Sequence, residues 1–141
     1  MQRKASAVWR GDLKGGKGSI STGSGVLKEA QYSFSTRFEN GIGTNPEELI
    51  AAAHAGCFAM AFSAELGKAG IMPQSIAATA TVTLDMLPTG PTVTESHLDV
   101  TAKVPGAEKS KVLEIANAAK AGCPISRLLN AKVTMDAKAE G

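Results

Sequence analysis

Two cysteines, Cys57 and Cys123, carry the most reactive chemistry this chain offers. A thiol pair in a reducing compartment is more often reactive or metal-binding than a structural staple. Cys57 falls deep inside a segment of helical character, with Ala53, His54, Met60 and Ala61 three and four residues away on the same face. Two readings stay open for it there: a small core residue in an alanine-rich helix, or a nucleophile. Cys123 directly precedes Pro124 at the start of a short helical pattern, where backbone N–H groups and the helix dipole favour a thiolate. Helix position by itself therefore makes Cys123 the more acidic thiol and the better leaving group when a disulfide is reduced.

Other polar residues offer themselves as assistants. Arg37 ends a strand-like segment, either as a solvated charge or as a guanidinium that stabilises a thiolate and holds a substrate oxygen. Glu47 and Glu48 fit the first turn of a helix, where acidic side chains complement the dipole. Ten residues separate Glu47 from Cys57, about 15 Å along one helix axis. If both serve one site, a second copy of the chain must supply one of them. His54 stands three residues before Cys57 as a base, a metal ligand or a hydrogen-bonded core histidine. A Cys2His2 zinc site built from His54, His97 and the two cysteines lacks paired spacing in its second half and is not expected. Gly11 to Gly18 nearly matches a phosphate-binding loop, but Gly18 stands where Ser or Thr is needed and strand-like residues follow.

These residues need elements to position them. Alternation predicts strands at Ala5–Arg10, Ser19–Thr22 and Tyr32–Arg37, an opening antiparallel meander broken by Gly41–Pro46. A long helix follows to about Lys68, capped by Thr44 or Asn45 with Pro46 in its first turn. Ile50–Ala64 is apolar or small on all faces, which predicts burial on all sides. Ser75–Leu87 and Pro91–Val104 read as strands joined at Pro88-Thr89-Gly90-Pro91. Ala107–Ala121 is an amphipathic helix with Val112, Ile115, Ala116 and Ala119 on one stripe. A short helix at Pro124–Leu129 and a last strand at Ala131–Lys138 complete the chain. The class is α+β, with antiparallel strands at both ends of the chain wrapped around a buried helix.

At 141 residues the chain is expected to be one domain, residues 1–141. Apolar residues make up 43% but aromatics only 4%, so the core must rely on close backbone approach rather than bulk. That makes burial between subunits attractive. The net charge of +2 comes from scattered basic residues, without the clustered Lys/Arg and interleaved aromatics of a nucleic-acid footprint. The charged N-terminus is followed by no apolar run of signal length, and no stretch is read as a membrane span. The expectation is a cytoplasmic protein with reduced thiols, no nucleic-acid partner and no membrane.

The motifs Thr44-Asn45-Pro46-Glu47-Glu48-Leu49-Ile50, Ala52-Ala53-His54-Ala55-Gly56-Cys57-Phe58 and Ala121-Gly122-Cys123-Pro124 closely resemble the OsmC/Ohr family of thiol peroxidases. Trp9-Arg10-Gly11-Asp12, Gly16-Lys17-Gly18 and Thr36-Arg37-Phe38-Glu39 resemble its OsmC branch, and the likeness runs over almost the whole chain. The resemblance implies an intertwined homodimer whose sheets enclose two central helices. It also implies that Cys57 is the peroxidatic nucleophile, Cys123 the resolving thiol, Arg37 the thiolate stabiliser and Glu47 the residue that orients Arg37. In the Ohr branch the arginine comes from the N-terminal turn, where this chain has Lys17, so a contribution from Lys17 stays open. The implied reaction reduces organic hydroperoxides in preference to hydrogen peroxide, through a Cys57 sulfenic acid and a Cys57–Cys123 disulfide. A dithiol reductant of the dihydrolipoyl type then restores both thiols. Phe38, Phe58 and Met60 are expected to line the substrate pocket, with no metal and no organic cofactor. The alternatives are a redox sensor that turns over slowly and a binding dimer with inert cysteines.

Overall fold

The computed structural model describes residues 1–141 and divides into two compact units, Met1–Leu49 and Ile50–Gly141. In the first, β1 (Ala5–Arg10), β2 (Lys17–Thr22) and β3 (Ala30–Tyr32) form the expected antiparallel meander. Trp9, Gly18 and Tyr32 face one another in register across the three strands. A Cβ on Gly18 would lie 2.4 Å from the Tyr32 ring and 2.7 Å from that of Trp9. Glycine is therefore what lets these two rings close over the middle strand, with centroids 5.4 Å apart.

The segment expected to be a strand at Tyr32–Arg37 is instead the end of β3 followed by a short helix, α1 (Phe34–Phe38). Ser33 overrides the alternation. Its hydroxyl accepts from the Thr36 N–H at 3.3 Å, and the Thr36 hydroxyl accepts from the Ser33 N–H at 2.9 Å. Such a reciprocal capping box satisfies two donors that a helix start would leave unpaired. Arg37 thus sits in a helical turn rather than at a strand end. Asn45 then ties two elements: its Nδ2 donates to the Thr36 carbonyl, and its Oδ1 accepts the Glu48 N–H at 2.7 Å, capping the next helix.

That helix, α2 (Pro46–Lys68), carries its buried residues His54, Phe58, Phe62 and Leu66 at four-residue steps. They pack with Leu98, Val100 and Ala102 of β5 (Gly90–Lys103) and with Val112, Ile115, Ala116 and Ala119 of α3 (Lys109–Gly122). β4 (Ser75–Leu87) pairs antiparallel with β5 through a two-residue turn at Pro88-Thr89, as expected. β6 (Lys132–Glu140) pairs with β5 in parallel, so the second sheet, β4-β5-β6, is mixed rather than antiparallel. The reason is connectivity. β5 reaches β6 through α3 and the short α4 (Pro124–Leu128), a helical crossover of the kind parallel neighbours require.

Burial of α2 on every side is not found within the chain. Only 22% of its most apolar 18-residue window is buried, and Ala52, Ala53, Gly56, Met60 and Ala64 are exposed. By length and composition α2 is also apolar enough to cross a membrane, contrary to the expectation from sequence, though core helices of soluble proteins share that property. The described architecture is α+β, two sheets plus helices.

Candidate active site

In the second unit α2 brings Cys57 to Cys123, at the junction of α3 and α4. Both are free thiols; Cys57 is half-buried and Cys123 fully buried. The Cys123 N–H closes α3 on the Ala119 carbonyl at 2.9 Å, and Pro124 at the first position of α4 starts a new helix at once. Cys123 is therefore held at a helix start whose N–H groups converge on sulfur. The Ile125 N–H reaches both sulfurs, which also hydrogen-bond to each other. Burial, reinforced by Cys123, pushes the Cys57 thiol up despite the Ile125 N–H. Burial opposes ionisation of Cys123 too. There the N–H groups of Ser126 and Ile125, with the Cys57 and Ser126 side chains, prevail and bring its thiol down. The order matches that inferred from helix position.

A second chain of groups reaches Cys123. His54 is fully buried, its Nδ1 2.6 Å from Ser96 Oγ and its Nε2 2.8 Å from Ser126 Oγ. Burial lowers the His54 pKa, which favours the neutral ring with one N–H. Ser126 thus touches His54 and also favours charge on Cys123, so the Ser96–His54–Ser126 chain ends beside the sulfur. His54 is the hydrogen-bonded core histidine among the readings above. Ser96 and Ser126 were missed from the sequence: single serines on a strand and in a short helix carry no signal of a partner far along the chain.

The first unit holds a cation. Arg37 Nε donates to Glu47 Oε1 at 2.8 Å and Nη2 to Oε2 at 3.0 Å, a bidentate fork on a nearly buried carboxylate. This fixes the guanidinium plane and leaves both Nη1 N–H groups and one on Nη2 without a protein partner. Arg37 and Phe38 line an apolar hollow of about 240 Å³ together with Trp9, Leu13, Tyr32 and Phe34. The sequence reading had only Phe38 of these aromatics. The Trp9-x-x…Gly18 pairing that seats the others depends on strand register.

Of the other residues singled out, Phe58 is fully buried against Phe62, with ring centroids 5.6 Å apart, and Met60 is 78% exposed on the open face of α2. Lys17 begins β2 opposite Arg10. His97 cannot join His54 and the cysteines in a zinc site. It alternates along β5 with Ser96, which faces the core, so His97 faces outward and pairs with Thr134.

Fold and site define an α+β protein with an asymmetric thiol pair, one sulfur half-buried and one buried, suited to reversible oxidation. Comparison with known proteins narrows this. The family described as OsmC-like protein matches residues 38–138. The chain is 51% identical over 136 residues to peroxiredoxin OsmC of Escherichia coli (strain K12), covering 96% of this chain and 95% of that protein; the Shigella flexneri protein of the same name matches equally. This chain belongs to the OsmC family. Solved structures share its fold. An OsmC-like protein of unknown function from Vibrio cholerae superposes with a TM-score of 0.76 at 17% identity, covering 97% of this chain and 99% of that one. Organic hydroperoxide resistance protein OhrB of Bacillus subtilis gives 0.68 at 23%, covering 97% and 98%.

Proposed function

We propose that this protein is a peroxiredoxin-like enzyme that reduces organic hydroperoxides, with Cys57 as nucleophile and Cys123 as resolving thiol. The observation that carries the reading is the meeting of the two sulfurs over one N–H group, beside a helix start and a hydroxyl that favour charge on Cys123. The Cys57 thiolate attacks the outer peroxide oxygen. The O–O bond breaks, the alkoxide takes a proton and leaves as alcohol, and Cys57 becomes a sulfenic acid. Cys123 thiolate then attacks the Cys57 sulfur, expelling hydroxide, which is protonated to water, and a disulfide forms. A dithiol of the dihydrolipoyl class attacks that disulfide. Cys123 is the better leaving group, because the N–H groups and Ser126 receive its charge.

Nothing within Ile50–Gly141 assists Cys57 as strongly as Cys123 is assisted, so the nucleophile needs a cation. Arg37 has the free N–H groups to supply one and to hold the peroxide, and Glu47 keeps it oriented. The rise along α2 between Glu47 and Cys57, about 15 Å, argues that Arg37 and Glu47 come from a second copy. The open face of α2, small residues plus Met60, fits close packing against the same helix of that copy. The working enzyme is then an intertwined homodimer in which residues 1–141 act as one domain. Phe38 beside Arg37 supplies an apolar wall that favours alkyl hydroperoxides, with Met60 and the buried Phe58 as further determinants.

Mixing two impaired variants tests this arrangement. Arg37→Met and Cys57→Ser subunits, the first crippled and the second inactive alone, should regain roughly a quarter of wild-type turnover of cumene hydroperoxide with dihydrolipoamide once subunits have exchanged, as expected for random pairing of twofold-symmetric dimers. No recovery after demonstrated exchange would place arginine and cysteine of one site on the same chain. Unchanged thiol titre after one equivalent of hydroperoxide would remove the peroxidase reading itself.

A further inference from the structure

On the outer face of the mixed sheet, away from the sulfurs, β5 and β6 bring together a group of side chains that the thiol chemistry does not use. We propose that His97, Asp99 and Asp136 form a binding site for a divalent first-row transition cation. His97 Nε2 lies 3.4 Å from Asp99 Oδ1 and 3.2 Å from Asp136 Oδ2, and the three ligand atoms lie within 4.8 Å of one another. The parallel register places Asp99 directly beside Asp136, and His97 beside Thr134. Like charges set opposite each other on adjacent strands repel unless a positive group joins them. Lys138 lines the same shallow depression as the two aspartates, yet makes no ion pair with either.

Proton counting shows what faces the carboxylates. Thr134 Oγ1 is 2.5 Å from Glu95 Oε2 and 2.7 Å from His97 Nδ1. An ionised carboxylate only accepts, so the one hydroxyl proton goes to Glu95. The hydroxyl oxygen must then accept from His97, which puts the ring proton on Nδ1. With Nδ1 turned to Thr134, Nε2 of His97 faces the two carboxylate oxygens, 3.4 Å from Asp99 and 3.2 Å from Asp136. Metal-ligating histidines are oriented in this way, with the far N–H held by an outer hydrogen bond. Here the Thr134–Glu95 pair plays that part. One imidazole and two carboxylates suit ions from Mn²⁺ to Zn²⁺, with water completing the coordination shell. Asp99 and Asp136 are more than half exposed, so an ion enters from solvent without any opening of the fold. A cation held there joins β5 to β6.

Mn²⁺ is the probe of choice, because oxygen ligands hold it and thiols compete for it poorly. Titration of the full-length reduced protein, with free Mn²⁺ read by electron paramagnetic resonance, should saturate at one ion per chain and raise the melting temperature. His97→Ala and the exposed Asp136→Asn should each weaken binding at least tenfold. Thr134→Val, which touches no ion, should weaken it about tenfold by releasing the ring. Equal excess Mg²⁺ should not displace the ion. Absence of saturable binding, binding that survives both His97→Ala and Asp136→Asn, or equal displacement by Mg²⁺ overturns the proposal. Peroxidase turnover enters none of these readings, so the site stands or falls independently of the thiol mechanism.

Discussion

Arg37 is held by two charge-assisted hydrogen bonds to a nearly buried carboxylate, whereas Cys57 and Cys123 are held by packing, with two N–H groups and one hydroxyl to polarise them. The first unit spends its polar contacts on orientation and leaves donors free. In the second, burial opposes ionisation of Cys57, while N–H groups and the Ser126 side chain favour it at Cys123. The contrast is one of placement: the thiol cluster favours charge on Cys123, whereas the free cationic donors lie in the other unit.

Substitutions can break this contrast at either end. The largest effect belongs to Cys57→Ser, which should reduce peroxide turnover to background; measurable turnover in that variant would move the nucleophile to Cys123. Arg37→Met should lower kcat/KM for cumene hydroperoxide about a hundredfold or more, as loss of a preorganised charge does. Its residual rate should climb with pH, because a nucleophile whose pKa is raised by burial gains thiolate only as pH increases. A rate that stays flat would deny the guanidinium its assigned role. Ser126→Ala should slow disulfide closure and its reduction about tenfold while leaving the initial burst of sulfenic acid unchanged, because it removes one hydrogen bond to a charged sulfur. The smallest effect sharpens the comparison most. In Cys123→Ser the midpoint for alkylation of Cys57 should move to lower pH, since a neighbour that raises its pKa is gone. A midpoint shifted upward would mean that Cys123 assists ionisation instead.

Much of the frame was legible because its determinants are local. The Asn45 cap, Pro46, and Gly122-Cys123-Pro124 mark the ends of α2 and α3 through contacts within a turn, and the buried stripe of α3 matches its apolar spacing residue for residue. The one misassigned element, Tyr32–Arg37, failed for a local reason as well: alternation of aromatic and polar residues was weighed above the Ser33–Thr36 capping box. The motifs around Cys57 and Cys123 were enough to identify the family that the comparisons show.

Residue order and spacing alone determined α2, α3 and α4, the hairpin of β4 and β5, the helix-start position of Cys123 and the separation of Glu47 from Cys57 along one axis. Only the tertiary structure decided that β6 runs parallel to β5, that His54 joins Ser96 to Ser126, that Trp9 and Tyr32 close over Gly18, and that His97 meets Asp99 and Asp136. The physical reason is range. Caps, turns and periodicity act between residues a few positions apart, whereas strand register and a buried hydrogen-bond chain arise from packing that joins distant segments, and no single segment encodes its partner.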